Sequence, residues 1–197
     1  MMNQRHALAS LAAGLLALAM SPAAFANVAA TGTISGSPIA TGANTGDYNY
    51  TIDLTNTGSQ SIDFLWFAWT PGQDYLFSTP VSASAPSGWA TNILPAGGGS
   101  GASIQFDSST MSIASGNSLD FSFITADAPS LVYSQSSHWF PGTPVGTSFV
   151  YNAAPFTTPS DMIVVTPTPE PASMGLLAIG AAALFMVTRR TRRPQIM

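Results

Sequence analysis

Trp66, Trp69, Trp89 and Trp139 are the residues of this 197-residue chain whose chemistry is easiest to put to use. An indole offers a flat apolar face and one N–H donor. That suits a sugar ring, whose C–H face stacks while hydroxyl-rich neighbours bond its edges. Trp66 shares its expected face with Ile62 and Phe64 and belongs to packing, the usual place for tryptophan in a sandwich strand. Trp89 and Trp139 stand near loops and are the candidate glycan contacts.

Catalytic groupings are scarce. Glycan hydrolysis needs one protonated and one ionised carboxyl roughly 5–10 Å apart, but Asp53, Asp63 and Asp120 fall on strand faces expected to meet solvent or a sheet edge. His138 has no sequence partner that would make it a general base. The run Gly98-Gly99-Ser100-Gly101-Ala102 lacks the last glycine and the helix of a nucleophile elbow. There is no His and Cys cluster for zinc and no Asp-x-Asp-x-Asp-Gly loop for calcium. The expectation is a protein that is not an enzyme, with no cofactor and no metal.

Charge narrows the partners. All five basic residues are arginines outside residues 27–171, whereas all nine acids lie inside that stretch, which therefore carries a formal charge of −9 with His138 neutral. A body without Lys or Arg cannot neutralise phosphates, so nucleic acid and anionic headgroups are excluded as partners, while neutral glycans and divalent cations are not. Cysteine is absent, so no disulfide staples the fold and stability must come from burial.

The elements that must position these residues are read from period-two alternation. Tyr48, Tyr50, Ile52 and Leu54 take one face while Asn49, Thr51, Asp53 and Thr55 take the other, and Asn56-Thr57-Gly58-Ser59 turns the chain. The run 62–69 is apolar on both faces after Asp63, which predicts a central strand. Further strands are expected over 31–35, 88–94, 102–107, 119–125, 145–151 and 162–165, with no 3.6-residue apolar stripe between them. This predicts one all-β domain at 27–165, a single antiparallel β-sandwich of immunoglobulin-like type. The turn at 54–59 and the segment 116–123 resemble, loosely, immunoglobulin-like domains of bacterial surface proteins. The alternating Thr and Pro of 166–171 predict an extended spacer that holds the C-terminal segment clear of the folded body.

Both ends read as export signals. Residues 1–26 have Arg5, an apolar core from Ala7 to Met20 and the small-x-small site Ala24-Phe25-Ala26, which predict a secretory signal peptide cut after Ala26 by signal peptidase. Residues 172–188 are uncharged and near the shortest length that spans a bilayer as a helix. Arg189, Arg190, Arg192 and Arg193 lie in the last stretch, 189–197, and favour the cytoplasmic side, leaving the body outside the inner membrane.

With Pro169-Glu170-Pro171 in front of that segment, the tail resembles the PEP-CTERM sorting signal of Gram-negative bacteria, which is read by exosortase. The resemblance covers about 167–197. It implies a precursor held transiently in the inner membrane, cut near the Pro-Glu-Pro motif, and a mature form at the cell surface or secreted, associated with exopolysaccharide in a biofilm matrix. A carbohydrate-binding module using exposed tryptophans is the alternative. Ice binding and a glycan-active enzyme are more distant, since ice binding needs a regular Thr array and Thr31/Thr33 and Thr55/Thr57 read as isolated pairs.

Overall fold

The computed structural model describes residues 27–95, 101–156 and 160–168. The expected signal peptide with Ala24 and Ala26, the Pro169-Glu170-Pro171 motif, the expected helix over 172–188 and the four tail arginines lie outside the described residues. Twelve strands and one helical turn run in the order β1 (Ala30–Pro38), β2 (Tyr48–Asn56), β3 (Phe64–Phe67), β4 (Trp69–Thr70), β5 (Gln73–Asp74), β6 (Ser82–Ser84), β7 (Trp89–Leu94), β8 (Ser103–Ser108), β9 (Ser118–Thr125), α1 (Pro129–Val132), β10 (Thr147–Tyr151), β11 (Ser160–Val164) and β12 (Thr166–Pro167).

Two five-stranded sheets hold nearly all of them, in the orders β12-β1-β2-β9-β6 and β11-β10-β3-β8-β7, and β4 with β5 makes a separate small hairpin. Every pairing is antiparallel except β1 with β12. The inward faces are those the alternation predicts. Tyr50, Ile52, Leu54, Phe121 and Phe123 of the first sheet share one core with Leu65, Phe67, Ile104, Phe106, Val150 and Ile163 of the second. Ring centroids of Phe106 and Phe121 lie 4.7 Å apart and those of Phe67 and Phe123 5.3 Å apart, so the sheets touch face to face. The sandwich stands, with five strands in each sheet where the seven-strand immunoglobulin arrangement has four and three.

Two local features set up the sites. Asn56 is fully buried, and its amide closes the first turn: Nδ2 donates to the carbonyls of Gln60 and Ile113, and Oδ1 accepts the Gly58 N–H at 2.9 Å. The expected central strand over 62–69 is interrupted at Ala68, whose φ of 56° is left-handed. Uninterrupted, Trp66 and Trp69 would fall on opposite faces of the sheet. The break at Ala68 instead lays the Trp69 ring on the Trp66 ring, centroids 3.6 Å apart and planes within 3°. The Ser148 Oγ, which accepts the Ala68 N–H, and the Tyr75 N–H, which donates to the Ala68 carbonyl, hold the break in place.

Candidate functional site

The second sheet buries aromatic side chains on its outer face as well as its inner one. Phe64 and Trp66 of β3 lie beside Tyr151 and Phe149 of β10, under Trp69. Trp66 Nε1–H donates to Ser103 Oγ at 2.9 Å, and that hydroxyl donates to Asp74 Oδ1 at 2.5 Å, which fixes the indole's orientation and satisfies its one polar atom. Phe156, 66% exposed, stands edge-on to both indoles at 5.8 and 5.4 Å. Trp66 and Trp69 are therefore packing residues in a cluster of their own outside the main core, and Ile62, expected on the Trp66 face, belongs to that main core instead.

The two candidate glycan contacts part company. Trp89 is 8% exposed, belongs to the main core and meets Phe121 at 5.0 Å, so its place as a glycan contact is corrected. It opens β7 on the inward side of the sheet, and nearness to the Gly88 turn did not bring the ring to the surface. Trp139 is half-buried in the loop after α1. Its plane lies within 14° of that of Phe77 at 6.1 Å, and the exposed His138 ring stands edge-on to both, 4.9 Å from Phe77 and 4.7 Å from Trp139. Phe77 is 42% exposed. Gly101 makes room for this arrangement, since a Cβ there would come within 2.8 Å of the Trp139 ring and 2.3 Å of the Leu76 carbonyl. Trp139 Nε1 is buried and has no hydrogen-bond partner among the described residues.

Behind this aromatic run is a cavity of about 150 Å³, lined among others by Tyr75, Phe77, Asp127, Ser134, Ser136 and His138. Its lining mixes aromatic and aliphatic side chains with Asp127, Ser134, Ser136 and His138, so it has room for a group of about one ring's size and polar atoms to bond it. Asp127 is almost wholly buried at its floor, where Oδ2 accepts the Ser78 N–H at 2.9 Å. The sequence placed His138 beside Trp139 but gave no sign of Phe77 or of the cavity, because those contacts span some sixty residues and join two loops.

The carboxylates singled out for acid and base chemistry do not form a cleft. Asp53 and Asp120 are direct cross-strand partners on the outer face of the first sheet, both exposed and in a row with Thr33 and Thr166. Asp63 sits elsewhere, just before β3, with Oδ1 buried and unpartnered among the described residues. No group of three or more metal-binding side chains occurs among the described residues, and none of their helices is long and apolar enough to cross a membrane.

At the C-terminal end the spacer expectation is corrected in part. Thr166–Pro167 is strand β12, paired in parallel with β1 through Thr33↔Thr166 and Ile34↔Pro167. Thr168 then gives its N–H to the Ile34 carbonyl at 2.9 Å and its hydroxyl to the same oxygen at 3.3 Å. Residues 166–168 are extended as expected but lie on the body rather than clear of it. An edge strand is a position where proline is tolerated, because its missing N–H faces away from the ladder.

Residues 167–193 match the family described as the PEP-CTERM protein-sorting motif. No curated protein matches the chain. Among solved structures, an inactive mutant of the GH20 exo-β-N-acetylglucosaminidase of Vibrio harveyi aligns at 11% identity and TM-score 0.41, over 73% of this chain and 18% of that one. Two biomass-sensing modules of Clostridium thermocellum RsgI-like proteins, described as resembling family 3 carbohydrate-binding modules of the cellulosome, align at 13% and 14% identity with TM-score 0.34, each over 99% of its own length. The sorting motif implies export, a membrane-anchored precursor and processing by exosortase.

Proposed function

We propose that the exported body is a non-enzymatic structural protein of the cell surface or extracellular matrix, associated with exopolysaccharide and released from its membrane tail by exosortase. The observation that carries this reading is the sorting motif at 167–193, which begins inside the last strand of the sandwich. A body whose only potentially cationic side chain is His138 suits a neutral polysaccharide better than a phosphate-bearing partner. The test is intact mass and cell-fraction location of the native protein beside Glu170→Ala in the same host. The wild type is expected to lose both ends and reach the surface, and the variant to keep its tail in the inner membrane. Retention of the tail by both would make the protein a simple membrane-anchored periplasmic domain and overturn the reading.

A carbohydrate-binding role is the second reading, favoured by the exposed Phe77 and His138, which line a ring-sized cavity, and by the half-buried Trp139 beside them. An aromatic contact with a sugar ring contributes on the order of 1 kcal/mol, so Trp139→Ala should weaken retention by the host's own exopolysaccharide about five- to tenfold in affinity electrophoresis. Equal retardation of wild type and variant would remove this reading and leave the structural role.

A further inference from the structure

We propose that β12 is a latch on tail processing: exosortase acts on the chain only while β12 is detached from β1, so the strength of that pairing sets the processing rate. The inference rests on the sorting reading above. The sorting motif and the fold share residues, since the match starts at Pro167, which is the second residue of β12 and the partner of Ile34. The backbone immediately before Pro169-Glu170-Pro171 is therefore already committed, with the Thr168 N–H and hydroxyl both on the Ile34 carbonyl. Pro169, Glu170 and Pro171 alone separate Thr168 from the apolar run that begins at Ala172. Fully extended, three residues bridge roughly 10 Å.

An enzyme that cuts within so short a bridge must take hold of extended backbone on both sides of the scissile bond, and peptides held that way use the same N–H and C=O groups that β1 now occupies. The docked sheet edge would also stand where the enzyme must approach. Detachment is within easy reach. β12 is two residues long, sits at a sheet edge and is followed by a pair of hydrogen bonds from one residue, so the closed form outweighs the open one by a factor on the order of ten to a hundred. After the cut the strand returns to β1 without the tail and covers an edge that would otherwise be open to pairing with other chains.

The test locks the latch. The natural chain has no cysteine, so Thr33→Cys with Thr166→Cys introduces a single possible bridge between direct partners, whose strand spacing of about 4.8 Å lies inside the range a disulfide spans. In the native host the oxidised double variant should keep its tail, with processing slowed at least tenfold, and reductant should restore the rate, while each single variant is processed like wild type. A second variant carries Gly-Ser-Gly-Ser between Thr168 and Pro169, which adds roughly 13 Å of reach. It should be processed faster than wild type on its own and should rescue the double-cysteine chain. Wild-type rates in the locked chain, or no acceleration by the insertion, overturn the latch while leaving the sorting reading intact. A wild-type chain that never loses its tail overturns both.

Discussion

Raising the pH from 9 to 12 is expected to strip stability from the sandwich steeply, beginning near pH 10. Tyr50 is wholly buried, donates its hydroxyl to the Asp127 carbonyl at 2.7 Å, and packs against Phe123 and Tyr133. Burial pushes its phenol well above the ordinary value near 10, because a phenolate there would lose its hydration, and Tyr133, Asp127 and Tyr48 push the same way. Burial raises Tyr151 as well. In the unfolded chain both ionise near 10. Their contribution is thus fully present below pH 10 and is lost as pH rises towards the folded values, by up to about 1.4 kcal/mol per pH unit for each phenol still protonated in the fold. Urea unfolding at pH 8 to 12 checks this. Tyr50→Phe should flatten the alkaline slope while costing about 1 kcal/mol at pH 8 for the lost hydrogen bond. Equal slopes in the two proteins would show that the titration lies elsewhere.

Tyr50 is also a residue whose place was legible in the sequence. Its strand alternates without a break, and a one-residue slip would bring Asp53 and Thr51 into the core, so the register follows from the pattern alone. The same holds for Leu119, Phe121 and Phe123 in β9 and for Ile104 and Phe106 in β8. Legibility fails where pairing does not depend on apolar alternation. Ser82–Ser84 forms β6 against β9 with no inward apolar row to announce it. Thr166–Pro167 reads as polyproline because its partner supplies a carbonyl that only the folded sheet presents. The hairpin of β4 and β5 depends on Ala68 at positive φ, a conformation that glycine or asparagine would have signalled and alanine does not.

The candidate site was half legible for a related reason. His138 and Trp139 stand together in any conformation, but their meeting with Phe77 is a property of two loops brought to one end of the sandwich. Trp89 shows the converse. Loop proximity suggested exposure, yet the parity of β7 decides which way an indole points, and the first residue of that strand points inward. Trp69-Thr70-Pro71-Gly72 and Trp139-Phe140-Pro141-Gly142 are alike in sequence, and in both the glycine turns at positive φ, 83° at Gly72 and 87° at Gly142.

Trp66→Ala should be among the most damaging single changes to the second sheet, at about 3–5 kcal/mol. It removes the ring on which Trp69 lies, opens space beside Phe64 and Phe156, and leaves the Ser103 hydroxyl, itself fully buried, without the donor it now accepts. Trp66→Phe retains part of the stack but still deprives Ser103, and is expected to fall between wild type and the alanine variant. Two indoles 3.6 Å apart and parallel couple their transition dipoles, so the wild type should show an exciton couplet in the far-ultraviolet circular dichroism that both Trp66 variants and Trp69→Ala abolish. The couplet reports the geometry and the urea midpoint reports its energy. Together they decide what the outer face is for. A lost couplet with a large fall in midpoint identifies a second, smaller core that braces the sheet. A lost couplet with an unchanged midpoint would mean that the stack contributes little to folding, and the aromatic face under Phe156 would then become a stronger candidate for contacting polysaccharide than Trp139.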